Sequence, residues 1–519
     1  LIFRFNNPDA LLVLVLISAA YATQRAVEKG GTRWLVLAGV LVGVGFLAKM
    51  LQAFLVLPAL TAVWLLAAPV GWWRRTRDLL LAGVAMLVSA GWWVLVVELW
   101  PADSRPYIGG SQTNSVLELV VGYNGFGRLT GDETGSVGGS PGGGWGQTGI
   151  TRLFGSEMAA GASWLLPAAL VLLGALVWRT RRAPLRDPLR AATVLWGGWL
   201  LVTGLVFSYM AGIIHPDYTV AIAPAVAALV GLGVAELWRD RAAPTSRVTL
   251  AVVLALTVSW AWYLLAQTTW QPWLTWAVPL AGLAGVAGLL SVRRMPRAAV
   301  VAVATVALVA GAGGSTAYAL ATAATPHTGA IPSAGPAGAG RMGGPGGMRG
   351  GNRPAGGFGG IQPPAGVGAP GTRSTAPTGD GGFGARGPGG AGGILGSPTP
   401  SAELTALLEQ DAGAYTWVAA TVGSNNAAGY QLATQEPVMA IGGFNGTDPA
   451  PTLAQFQALV AANKIHYFVG GGTTMGGRGA STDTGGSDDA VRIARWVQEN
   501  FAATAVGGTT VYDLTGAGS

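Results

Sequence analysis

Apolar runs alternate with short polar gaps through the first 325 residues, and ten of the runs are long enough to be read as membrane crossings. The pattern predicts helices over 10–27, 34–49, 52–70, 79–99, 161–178, 191–211, 217–237, 248–266, 272–291 and 298–320. Every second gap is basic. Arg25, Lys29 and Arg33 fill the first, Arg74, Arg75 and Arg77 the next, then Arg179–Arg190, Arg239–Arg247 and Arg293–Arg297. The intervening gaps hold only Arg4, Lys49, Arg105, Arg128 and Arg152. Cationic loops stay in the cytoplasm, so this alternation predicts that Asp9, Lys49, the loop 100–160, His215 and everything after residue 325 lie on the outer side.

Two later segments break the pattern. Residues 325–400 are dominated by Gly, Pro, Ala, Ser and Thr and cannot bury enough apolar area to offset their ordering entropy, so they are expected to be a flexible linker. Residues 401–519 return to short apolar runs. They predict helices at 401–411, 426–433, 452–463 and 487–502 between strands at 415–421, 437–441, 465–470 and 509–513. Strands alternating with helices point to a small α/β domain with a mostly parallel sheet. The Gly442–Pro449 turn follows a strand and precedes a helix, where a ligand loop or a tight structural turn are equal readings. The fold class expected is thus a polytopic α-helical membrane protein, residues 1–324, with a C-terminal α/β domain at 401–519.

Composition agrees. Charged residues make up 11% of the chain and mean hydropathy is +0.45, far from the roughly one-quarter charged content of soluble domains. The net charge of +7 sits in short loops between apolar runs, which argues against a nucleic-acid partner. Cysteine is absent, so disulfides and thiolate metal sites are excluded. Residue 1 is Leu, and residues 1–9 do not form a signal peptide, so the expectation is that further chain precedes them. The loop 100–160 is too long for a turn and mixes aromatic with polar groups around Trp100–Tyr107, Ser115–Val121 and Tyr123–Arg128. It is read as a lid or binding loop.

Three outer helix ends carry candidate chemistry. Asp9 follows Arg4, Asn6 and Asn7 and precedes a span; it is either a site acid or a helix cap. Lys49 ends a span and is followed at once by another; it is either a phosphate-binding cation or a snorkelling side chain. His215, Asp217 and Tyr218 occupy one very short turn. A bundle could gather all three into one pocket.

These residues carry a resemblance. Asn7-Pro8-Asp9 resembles the outer acidic motif of glycosyltransferase family 39, membrane enzymes of the GT-C fold that include protein O-mannosyltransferases and lipid A aminoarabinose transferases. Gly45-Phe46-Leu47-Ala48-Lys49 is similar to its Gly-x-Leu-Thr-Lys-Gly signature, with Met50 in place of the last Gly. His215-Pro216-Asp217-Tyr218 with Pro224 is similar to its His-Pro-Tyr-Tyr…Pro segment, with Asp217 for the first Tyr. Pro437–Phe444 resembles the outer C-terminal domain of the bacterial mannosyltransferase-like YkcA/YkcB group.

The resemblance implies transfer of a sugar, mannose by analogy, from a polyprenyl-phosphate-linked donor to a protein, polymer or lipid acceptor at the outer face of the plasma membrane. By analogy Asp9 and Lys49 organise donor phosphate and acceptor; Arg105, His215 and Tyr218 are added as substrate-binding candidates, Arg105 and His215 from their position, with Lys49 and Arg105 stabilising the departing lipid phosphate. The family's general base is expected in chain preceding Leu1 and is assigned to no residue here. The sequence admits a divalent metal but shows no ligand cluster that demands one. The competing readings are a transporter or flippase and a membrane-anchored glycan- or lipid-binding protein acting through 401–519.

Overall fold

The structure, a computed structural model, describes residues 7–102, 104–136, 146–326, 331, 334–336, 397–470 and 485–515. Most of the segment expected to be linker, together with Arg4 and Asn6, lies outside them.

The helical region runs α1 (Asp9–Lys29), α2 (Thr32–Lys49), a 3-10 segment (Met50–Val56), α3 (Leu57–Ala67) and α4 (Trp72–Leu99). After the long loop come α8 (Leu166–Thr180), α9 (Pro188–Tyr209), a 3-10 segment (Pro216–Ile222), α10 (Ala223–Arg239), α11 (Pro244–Ala266), α12 (Pro272–Ser291) and α13 (Arg297–Ala324). The loop itself contains α5 (Val116–Glu118), a π-helical stretch (Leu119–Phe126), α6 (Gly127–Thr130) and α7 (Ala159–Ala162). Several helices begin on proline, whose fixed φ suits a first turn and whose missing N–H is not needed there.

Among the described residues eight helical stretches are long and apolar enough to cross a membrane, and Leu166–Thr180 is an apolar helix of shorter length. Ten runs were expected. One of the two missing is the short Leu166–Thr180, and the other arises at Thr32–Ala67, one of the eight. It is broken by Met50, which takes φ 44° and ψ −134°, and the chain folds back there. Seven 3-10 residues and the eleven of α3 then span roughly 30 Å, enough to return across an apolar layer. Arg74 donates to the Gly30 carbonyl, and Thr32 donates to Asp78. These contacts bring the start of α2 and the start of α4 to one end of the bundle.

Small residues let the first helices approach. A Cβ on Gly39 would stand 2.1 Å from the Ala82 carbonyl oxygen, and one on Gly43 would stand 2.6 Å from that of Met86. The Gly-xxx-Gly spacing therefore sets α2 directly against α4. One apolar core joins α1–α4 to α8–α10, and a second joins α8 and α10 to α11–α13.

The C-terminal unit comprises α14 (Ala402–Glu409), β1 (Trp417–Val422), α15 (Ser424–Thr434), β2 (Val438–Ile441), α16 (Leu453–Ala461), β3 (Ile465–Gly470), α17 (Asp489–Asn500), β4 (Ala503–Val506) and β5 (Thr509–Asp513). Strand order is β2-β1-β3-β5-β4. Strands β1, β2 and β3 are parallel, but β5 pairs antiparallel with both β3 and β4. The sheet is thus mixed rather than mostly parallel, because a β4–β5 hairpin replaces a final crossover. Leu404, Leu408 and Tyr430 of α14 and α15 cover one face. Phe456, Val460, Ile493 and Val497 of α16 and α17 cover the other.

Candidate active site at the loop-bearing end

Helix α2 stops at Lys49 because the next residue cannot continue it, and this stop aims the lysine at the start of α1. Lys49 Nζ donates to both carboxylate oxygens of Asp9, at 2.7 and 2.6 Å. Asp9 is fully buried, and the lysine side chain is 17% exposed. Neither side chain is left to solvent here. The residue preceding the first turn of α1 is Pro8, which makes no side-chain cap, and the Asp9 carboxylate is engaged with Lys49. Lys49 in turn does not reach out to solvent. Its ammonium lies 3.9 Å from the centroid of the Tyr218 ring, where the ring's negative face attracts it.

The His215–Tyr218 turn enters from the other half of the bundle. Pro216 opens the 3-10 segment, and the Tyr218 N–H closes it on the His215 carbonyl. The two rings meet edge to face at 5.3 Å. Asn7 ties this turn to α1: its Nδ2 donates to Asp217 at 3.3 Å, while its Oδ1 accepts from the Asp9 N–H at 2.6 Å. The other Asp217 oxygen is buried with no hydrogen-bond partner among the described residues.

The long loop contributes Arg128, in α6 two residues past the π-helical stretch, a form of helix often found at functional sites. Arg128 pairs with buried Glu133 at 2.8 Å, donates to the Ile213 carbonyl and lies 4.7 Å from the Tyr123 ring centroid. Both Glu133 oxygens accept from the Ile213 N–H, and the N–H groups of Ala211 and Gly212 donate to Leu129 and Arg128. The loop is therefore laced to the chain just before His215. Burial, then the charges of Arg128 and Lys49, push the His215 imidazole down to about 4. It is neutral at physiological pH. Burial raises Glu133, opposed by Arg128.

Asp9, Lys49, His215 and Tyr218 are thus brought together, and Arg105 is not. Arg105 donates to the Val97 carbonyl and lies 3.5 Å from Glu98, which brace the foot of the loop against the end of α4. The guanidinium beside His215 is that of Arg128. Its signal was present in the sequence as the Tyr123–Arg128 run of aromatic, glycine and polar residues. Among the described residues no group of three or more His, Asp or Glu side chains is placed to hold a metal ion.

Chemically, the cluster offers two cations and a neutral imidazole that can meet an anionic group. The Asp217 carboxylate, whose second oxygen has no partner among the described residues, can accept from a hydroxyl. Preorganised cations in a water-poor setting stabilise developing negative charge without reorganisation.

Residues 1–94 match the family model described as "Dolichyl-phosphate-mannose-protein mannosyltransferase", and residues 404–500 match that described as "Putative mannosyltransferase YkcB-like, C-terminal". The chain is 28% identical to "Putative mannosyltransferase YkcB" of Bacillus subtilis, covering 96% of this chain and 74% of the relative. It is 31% identical to "Putative mannosyltransferase YycA" of the same organism, covering 51% of this chain and 50% of the relative. No solved structure matches. Asp9 and Lys49 fall within the first matched region; Arg128, His215 and Tyr218 lie between the two.

Proposed function

We propose that this chain, similar over residues 1–94 to a mannosyltransferase family model and along most of its length to a relative described as a putative mannosyltransferase, transfers a sugar from a polyprenyl-phosphate-linked donor at the extracytoplasmic face of the plasma membrane. The observation that carries the reading is the convergence of Lys49, Asp9, Tyr218, His215 and Arg128 at one end of the bundle, opposite the end where the basic loops collect. A site at a bundle end meets a lipid phosphate at headgroup depth. A transport path would instead call for ionisable groups near mid-span.

In this reading Lys49 and Arg128 hold the donor phosphate and stabilise the charge it keeps as the glycosidic bond breaks. Arg128 takes the role that position along the chain suggested for Arg105. Asp9 fixes the lysine's position. Tyr218 screens the ammonium from water, and Asp217 and Asn7 orient sugar or acceptor hydroxyls. Neutral His215 can accept a hydrogen bond without adding a competing positive charge. The transfer base is assigned to none of these residues.

The test is incubation of membranes holding the full-length protein with labelled polyprenyl-phosphate-mannose and cell-envelope acceptors. The expected result is label in an acceptor fraction, lost in Lys49→Ala. Absence of transfer to any acceptor by folded protein would refute the proposal.

A further inference from the structure

The C-terminal domain touches the long loop through the turn that follows β2. Gly442, Gly443 and Gly446 all take positive φ there, and a Cβ on Gly443 would stand 2.0 Å from Asp448 Oδ2. Glycine thus makes room for an inturned carboxylate. That carboxylate accepts from the Gly110 N–H at 2.8 Å. The neighbouring Thr447 hydroxyl donates to the Gly135 carbonyl at 2.6 Å. Thr447 and Asp448 are both buried. The two contacts grip the loop on either side of the π-helical stretch and Arg128.

The grip connects to the candidate site through a short chain of bonds. Gly135 is followed by Ser136, whose N–H donates to the Glu133 carbonyl at 3.0 Å. Glu133 in turn holds Arg128 and the Ile213 N–H. A loop of this length carries a large ordering entropy, and a guanidinium on it is preorganised only if both its arms are fixed. The bundle fixes the inner side at residues 211–213, and the domain fixes the outer side at Gly110 and Gly135.

We propose that Thr447 and Asp448 are positioning residues for sugar transfer, acting through Glu133 to hold Arg128 against the donor phosphate. The C-terminal domain is then a clasp on the substrate loop. This rests on the transferase reading for its consequence, but the clasp itself can be measured apart from it.

Two readouts on the full-length chain test the proposal. The chain has no cysteine, so Ser136→Cys is a single reporter at a buried position beside the clasp. Its labelling by a maleimide is expected to be slow, and at least about tenfold faster when Thr447→Val and Asp448→Ala are added. The second readout is affinity for polyprenyl-phosphate-mannose. The clasp double variant is expected to weaken it about tenfold, Asp448→Asn to restore most of the loss, and the clasp substitutions to have no further effect in an Arg128→Ala background. Unchanged labelling would overturn the clasp. Faster labelling with unchanged affinity, or losses that add to that of Arg128→Ala, would overturn the positioning role. If the unsubstituted protein bound no polyprenyl-phosphate-mannose, the transferase reading and the positioning role would fall together, while labelling would still decide the clasp.

Discussion

The two ends of the helical bundle use their charges differently. At the basic end most pairs are local and partly exposed. Arg25 meets Glu28 one turn away, Arg77 meets the adjacent Asp78, and Arg179 reaches Glu236 and Asp240. Several arginines there bind carbonyls at helix ends: Arg75 holds those of Leu65, Ala68 and Val70 as α3 stops. Nothing in that arrangement needs a ligand. At the opposite end the Arg128–Glu133 pair is local but largely buried, and two further contacts join distant parts of the chain. Lys49 meets Asp9 across 40 residues, and Asn7 meets Asp217 across 210. Burying ions is costly unless geometry and hydrogen bonds compensate. At the basic end the arginines stay partly in water, even where Arg74 and Arg77 meet the buried Asp78, whereas Lys49 and Arg128 are largely withdrawn from it.

The largest effect is expected at Lys49. Lys49→Ala leaves the Asp9 carboxylate buried and unpaired, so a loss of about 3–5 kcal/mol in stability is expected, with sugar transfer reduced at least about a hundredfold. Thermal unfolding and transfer assays check the two parts. Lys49→Met with Asp9→Asn, which removes the charge imbalance, should recover stability but not transfer. Recovery of both would mean that the pair is structural.

A smaller effect separates the two loop arginines. Arg128→Ala is expected to weaken donor affinity about tenfold, the size of one charge-assisted hydrogen bond. Arg105→Ala, at the foot of the loop, is expected to weaken it by at most about twofold. The reverse order would return Arg105 to the site and remove Arg128.

Acid sensitivity sharpens the contrast further. His215 has a folded value of about 4 against 6.5 for an ordinary histidine. The unfolded chain therefore binds more protons between those values, and the stability associated with neutral His215 is complete above about 6.5 and lost as pH falls towards about 4. His215→Gln should flatten that part of the stability profile, as followed by unfolding between pH 4 and 7. An unchanged slope would show that the imidazole is not held neutral by Lys49, Arg128 and burial. The smallest effect belongs to the basic end. Arg25→Ala is expected to change stability by no more than about 0.5 kcal/mol and to leave donor affinity unchanged.

Much of this end was legible before the structure. Asp9, Lys49 and the His215–Tyr218 turn each interrupt or border an apolar run at a gap poor in basic residues, so alternation alone placed them on one face. For Asp9, read as a site acid or a cap, geometry was needed to show that its carboxylate is held by Lys49, since an acid in a first turn fits both readings. The loop was harder. Three arginines lie in it, and the choice among them depends on a π-helical path and a Glu133 bridge that periodicity does not encode. In the C-terminal domain β4 escaped notice because Ala503–Val506 is short, mostly exposed and weakly apolar. Its signal was Gly507-Gly508, both at positive φ, between two short strands. Similarly, the Gly442–Pro449 turn reads equally as ligand loop or tight turn from its glycines, and its contact with Gly110 and Gly135 depends on chain more than 300 residues away.

The central claim is that the end bearing Lys49 and Arg128, and not the basic end, receives the phosphate of a lipid-linked sugar. Cross-linking of full-length protein in membranes with a polyprenyl phosphate carrying a photoreactive group beside the phosphate tests this most directly. Label is expected on residues 123–133 and 213–219, and it should be lost in Lys49→Ala. Label concentrated at residues 74–77, 179–190 or 239–247, or persisting undiminished in folded Lys49→Ala, would contradict it.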